Sequence, residues 1–211
     1  MSRTKIRMGV APIGNVPEII SKTIAAHLLG YLNIHAEVLP SLEHPAYAHD
    51  KKRLQYDAGA ILKALESEPF HDYTKVIGVL DVDLFVPILT YVFGEAKQGG
   101  KYALVSLYRL KTNPDGSVPP MSFILERAAK VALHELSHLF DLHHCMDKRC
   151  LMHFSGELDH LDQTPLYFCR YCSSYFLDAL RRQSSLMPAQ CGETFAPDGP
   201  IRDPENFRRG H

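Results

Sequence analysis

The chain has 211 residues, 45% of them hydrophobic, with 23 Lys+Arg against 24 Asp+Glu, enough apolar material for one domain or a domain with a small appended subdomain. This excludes a chain disordered throughout, and the near balance of charge excludes the bulk basic field that phosphate backbones and anionic membranes select. The N-terminal MSRTKIRMGVAPIGN lacks the long apolar run of a signal peptide, and the apolar run Leu84 to Phe93 is broken by Pro87, so the expectation is a cytoplasmic protein without a membrane span.

In chain order, Lys5 to Ile13 reads as a strand and Val16 to Leu32 as a helix, with Ile20, Ile24 and Leu28 at helical spacing. His35 to Leu39 alternates as a short strand, and Lys51 to Ser67 resumes helical spacing through Leu54, Ala58, Ile61 and Leu65. Three strand-like runs follow, Lys75 to Asp81, Ile88 to Glu95 and Tyr102 to Leu110; without intervening helices they must pair partly antiparallel. Met121 to Leu142 has the period of a long amphipathic helix, Tyr175 to Leu180 a short helical pattern, and the segment from Gln183 onward reads as an irregular tail. The fold class expected is α+β, a mixed twisted sheet backed by helices, with a Cys- and His-rich C-terminal part. The boundary falls where the long helix must end: residues 1–141 form the upper sheet and helix subdomain, and residues 142–211 the lower four-cysteine subdomain with its tail.

Six of the twelve histidines lie between His134 and His160. His134-Glu135-Leu136-Ser137-His138 stacks two imidazoles on one helix face, roughly 5 to 6 Å apart, close enough to share a tetrahedral metal. A catalytic zinc needs a third protein ligand and one open position. His144 can supply that ligand if the helix stops near Asp141 and the chain turns back; a tighter turn would offer His143 instead. Glu135 projects to the side of the pair, where it can reach a zinc-bound water as general base. The chemistry inferred is hydrolysis of a peptide or amide bond.

Four of the five cysteines form two pairs, Cys145-x4-Cys150 and Cys169-x2-Cys172. Four thiolates in tetrahedral array make a closed structural zinc site; two disulfides or an iron–sulfur cluster are the alternatives. Because Cys145 directly follows His144, the two sites would be mechanically coupled. Cys191 is left over. Asp81 and Asp83, at a strand end, read as turn formers before they read as a hard-cation site.

The run HELSHLFDLHHCMDKRCLM followed by CRYC closely resembles the composite motif of the archaemetzincins, a metzincin-like family of zinc metallopeptidases, over most of the chain up to about Leu180. The resemblance implies a catalytic zinc on His134, His138 and His144, Glu135 as base, Met152 as the Met-turn residue beneath that zinc, and a second, structural zinc on the four cysteines, hence two zinc ions per chain. It also implies an edge strand that lines the cleft and pairs with extended substrate, a peptide or an unfolded segment. The chain departs from the pattern at Asp141, where Gly is usual, and Phe154 stands where some metzincins carry a tyrosine hydroxyl. The competing reading is a non-catalytic, zinc-stabilised peptide-binding or interaction module, against which the retained Glu135 argues. Nucleic acid is not an expected partner, although Lys148, Arg149, Arg170, Arg181 and Arg182 cluster in sequence.

Overall fold

In the computed structural model, which describes residues 6–186, three strands form the centre of the molecule: β1 (Met8–Ile13), β5 (Lys75–Leu80) and β8 (Tyr102–Ser106), each buried along its whole length. They lie in one five-stranded sheet with β2 (Ala36–Val38) and β7 (Gly94–Ala96), in the order β2-β1-β5-β8-β7. All neighbours are parallel except β7, which runs antiparallel to β8 at the edge. Burial on both faces accounts for the continuous apolar runs KVIGVL and YALVS, since alternation is needed only where one face meets water.

Helices cover those faces. On one side, α1 (Glu18–Leu32) and α3 (Met121–Leu139) pack Ile24, Leu28, Ala128, Ala132 and Leu136 against Met8, Val10, Ile77, Val79 and Val105. On the other, α2 (Ala58–Leu65) packs Ala58, Ile61 and Leu65 against Ala11, Ile13, Val76, Leu80 and Leu104. The first core continues into the C-terminal part through Leu142, Leu151, Met152 and Phe176, which draws α4 (Leu158–Gln163) and α5 (Arg170–Leu186) onto the base of α3. Arg127, buried in α3, donates to both Asp162 oxygens at 2.7 and 2.6 Å. Lys130 donates to the Leu161 and Asp162 carbonyls at 3.2 and 2.9 Å, capping the end of α4.

Three expectations need correction. The helix expected from Lys51 begins at Ala58: Asp50 accepts from the amides of Lys52 and Arg53, Leu54 turns left-handed (φ 56°), and Asp57 caps α2 through the Ala60 amide. The turn joins β3 (His49–Asp50) to β4 (Gln55–Asp57), which with β6 (Leu84–Phe85) makes a second small sheet. The strand expected over Ile88 to Glu95 is mostly a loop folded back between Leu84 and Val92, with Ile88 89% exposed and only Gly94–Ala96 extended; Pro87 offers no amide to a ladder. The short helical pattern at Tyr175 to Leu180 belongs to the longer α5, which takes in Gln183–Leu186 of the expected tail. The rest of that tail, with Cys191, lies outside the described residues.

Candidate active site and metal centres

Helix α3 stops through a hydrogen-bond pattern that aims the chain back at its own histidines. The Leu142 amide donates to the Ser137 carbonyl at 3.1 Å and the Asp141 amide to the His138 carbonyl at 3.0 Å, while Asp141 adopts φ 69°; this is a Schellman closure with Asp at the left-handed position. His144 follows within three residues, so its ring centre lies 5.2 Å from that of His134 and 4.8 Å from that of His138. The metal-ligating atoms of His134, His138 and His144 all fall within 4.8 Å of one another. His143 lines the same cleft but is not part of this cluster.

Backbone carbonyls decide which nitrogens face inward. His134 Nδ1 is 2.8 Å from Leu151 O and His138 Nδ1 is 2.7 Å from Leu142 O; a carbonyl can only accept, so each Nδ1 carries the proton and each Nε2 a lone pair. Those two Nε2 atoms stand 3.2 Å apart, an arrangement that repels unless a cation lies between them. Tetrahedral zinc with bonds of about 2.05 Å asks for a separation of about 3.3 Å. Burial holds His134 neutral, its pKa lowered to about 3, and lowers His138 and His144 as well, leaving the imidazoles in the form that binds metal.

Glu135, one residue on, is buried, and its carboxyl is held well above the ordinary carboxylate range by that burial and secondarily by the charge of Glu95. Glu95 and Glu135 are both among the residues lining a cleft of about 300 Å³ with the three histidines. One wall of the cleft is β7. The bond from the Ser106 amide to Phe93 O (2.8 Å) and the register Glu95 to Leu104 make these the hydrogen-bonded pairs of the ladder, so Gly94 and Ala96, in the alternate positions, turn their N–H and C=O to the open edge. Among the described residues no strand pairs with that side of β7. Phe154 brings only its ring, 5.1 Å from that of His144.

The four cysteines meet at the base of α5, their sulfurs within 4.8 Å of one another and none in a disulfide. Cys145 Sγ and Cys169 Sγ are 3.8 Å apart, the edge of a tetrahedron whose centre lies about 2.3 Å from each sulfur, as in zinc thiolate sites. Burial pushes the Cys150 thiol up to about 11, so a set of four thiolates there needs a cation to exist at neutral pH. The Cys145 amide donates to Met152 O at 2.7 Å, and Met152 itself is fully buried. Asp83 is held by Arg109 at 2.6 and 2.7 Å and Asp81 by Lys111 at 2.5 Å, so both serve as ion-pair partners.

Sequence reading missed three contributors. Gly94, Glu95 and Gln98 all line the cleft, and only Gly94, a glycine inside a strand-like run, carried a signal, that of a close backbone approach. Gln98 donates to Leu142 O at 3.0 Å, the carbonyl that already holds His138.

A sequence profile of the Peptidase family M54 matches residues 31–177. The chain belongs to that family. Archaemetzincins from Methanocaldococcus jannaschii and Pyrococcus furiosus are both 36% identical to it, over 167 and 170 residues that cover 79% and 77% of this chain and 90% and 88% of theirs. The crystal structure of archaemetzincin from Methanopyrus kandleri superposes with a TM-score of 0.75 at 33% identity, covering 84% of this chain and 97% of that one. A second, the Archaeoglobus fulgidus archaemetzincin complexed with malonate, gives 0.69 at 30% identity, covering 80% and 99%. Membership makes this M54 chain a zinc metallopeptidase with the metzincin-like α+β fold. No described helix is long and apolar enough to cross a membrane.

Proposed function

We propose that this M54 peptidase cleaves peptide bonds with one zinc ion on His134, His138 and His144, Glu135 as general base, and a second, structural zinc on Cys145, Cys150, Cys169 and Cys172. The observation that carries this reading is the pair of inward Nε2 lone pairs 3.2 Å apart beside a buried carboxylate in an open cleft. Zinc, when bound, supplies a Lewis acid that polarises the scissile carbonyl and acidifies water. The protein does the rest.

Burial and Glu95 keep Glu135 a stronger base than an exposed carboxylate, suited to take a proton from the attacking water and return it to the leaving amine. Gly94 and Ala96 offer donors and acceptors along which an extended peptide, from a short substrate or an unfolded protein, adds as a further strand. Leu142 O and Leu151 O fix the rings of His138 and His134, and Met152 supports them from beneath by packing. Phe154 has no hydroxyl, so it adds no donor for the developing oxyanion. We divide the chain at the left-handed Asp141 into residues 1–141 and 142–211, a reading supported by described residues from both sides of that point lining the cleft. The unpaired thiols suit a reducing compartment, and we place the enzyme in the cytoplasm.

Glu135→Gln tests the reading. The variant should keep its fold and two zinc ions per chain while losing at least about a hundredfold in turnover of a peptide library. Equal turnover by variant and parent would remove Glu135 from the mechanism, and parent protein that binds peptides without cleaving them would favour the non-catalytic binding module.

A further inference from the structure

The loop that leads into β7 holds apolar side chains out in water: Ile88 is 89% exposed and Leu89 38%, and Leu54, on the neighbouring turn, is 73% exposed. Single exposed apolar residues are ordinary, but a group of them on a fixed surface marks an interaction site. This surface is fixed. Arg53 donates to Leu89 O at 3.2 Å and lays its guanidinium over the Phe85 ring at 4.4 Å, and the buried Gln55 donates to Thr90 O at 3.0 Å. Leu54 stands between these two residues in the chain, which puts its backbone beside the loop that carries Ile88 and Leu89. The loop closes on itself through the Leu89 amide to Val86 O and the Val92 amide to Leu84 O, both at 3.0 Å, and Tyr91 ties it to the facing wall of the cleft by donating to Gly156 O at 3.0 Å. These bonds hold Ile88 outward.

Position decides what meets it. Leu89, Tyr91, Val92 and Phe93 line the cleft together with Gly94, so the wall that an extended substrate follows along β7 continues to this patch without a break. Ile88 precedes Gly94 by six residues and so lies at most about 20 Å from it, a span that an extended peptide crosses in about six residues. The chain that arrives there is the substrate's own, beyond the residues that flank the scissile bond. An unfolded segment brings its apolar side chains uncovered, whereas a folded one has already buried them. We propose that Ile88, Leu89 and Leu54 form a docking surface for apolar side chains of an unfolded substrate, up to about six residues from the bond being cut, and that the enzyme thereby favours long apolar segments over short or polar peptides. This rests on the metallopeptidase reading.

The test uses peptides that share one cleavable core: the core alone, and the core extended at either end by about six residues that are rich in serine or in leucine. For the zinc-loaded protein, with the cut bond identified by mass spectrometry, the leucine extension at one end should exceed the serine extension at that end by about tenfold in kcat/KM, mostly through KM, as burial of one apolar side chain supplies. A variant carrying Leu54→Ser and Ile88→Ser should cleave the bare core as the parent does and bring that ratio close to one. Calorimetry on Glu135→Gln protein, with and without the two serine substitutions, reads docking apart from turnover: the favoured leucine peptide should bind about tenfold more weakly once the apolar side chains are gone. The same ratio and the same affinity in both proteins would overturn the inference and leave the peptidase reading intact. So would an unchanged ratio accompanied by conversion of a dimeric parent to a monomeric variant, which assigns the patch to a second copy of the chain. Parent protein that cleaves neither the core nor its extended forms would overturn both.

Discussion

Gly94 and Glu135 touch so closely that a Cβ built on Gly94 would lie 2.6 Å from Glu135 Cγ, with Leu104 O at 2.7 Å on its other side. The backbone oxygen cannot yield, so the side chain of Glu135 must. Gly94→Ala should therefore displace the carboxylate while the metals stay bound. Overpacking of this kind costs about 1–3 kcal/mol, and displacement of a catalytic group by roughly 1 Å costs about a hundredfold in turnover. Unchanged kcat in a folded, fully zinc-loaded Gly94→Ala protein would show that Glu135 moves freely.

On the proposed two-zinc reading, Cys145 tests how far the histidine site depends on the cysteine site. Its amide is bonded to Met152 O and its neighbour is His144, so losing the thiolate loosens the backbone that aims the third imidazole. Cys145→Ser should weaken zinc at the histidine site by about 10 to 100-fold, as supporting groups typically do. Titration with a competing chelator reads this directly. In the parent, the open histidine site should give up its zinc before the closed thiolate site. Equal affinity of the histidine site in both proteins would mean that α3 alone holds His144.

Asp141 occupies the left-handed position of the Schellman closure at φ 69°. Glycine adopts that conformation without the Cβ penalty, although it costs more entropy on folding. Asp141→Gly should stabilise the protein by about 0.5–1 kcal/mol, and Asp141→Val should destabilise it by about 1–2 kcal/mol. Thermal denaturation of the two variants checks both signs.

Lys75 lies beneath the same helix end, its ammonium 2.7 Å from Leu139 O and 2.7 Å from Gly100 O, with no ion-pair partner among the described residues. Burial lowers its pKa from 10.5 to about 8. Between those values the unfolded chain holds one more proton than the folded one, so this residue's contribution to stability rises with pH. Relative to Lys75→Met, the parent should gain thermal stability as pH climbs from about 8 towards 10.5. A constant difference across that range would mean that Lys75 keeps its proton when folded.

The histidine and cysteine sites were legible in the sequence because their chemistry is carried by side chains at fixed spacing: two turns of one helix for His134 and His138, and two short loops for the thiols. The central strands were legible as apolar runs. The carbonyls of Leu142 and Leu151, which orient the rings, could not be read, because every residue has a carbonyl and only the tertiary path selects one. Ile88 misled because an apolar residue can sit on an exposed loop once a proline interrupts the ladder. Leu54, on an apparent helical period, misled for a related reason: the local bonds of Asp50 and Asp57 outweighed the periodicity.

The closure from Ser137 to Leu142 leaves little freedom for change in chain length. One residue inserted between His138 and Asp141 would rotate everything beyond it by about 100° and advance it by about 1.5 Å along the helix axis, carrying His144 away from its partners and Leu142 O away from the imidazole it orients. The stretch from Thr112 to Pro120, outside any helix or strand and with open space around Gly116, has no such constraint. Divergence by insertion and deletion should therefore collect before α3, and the few residues after its last histidine should keep their number even where their identities drift.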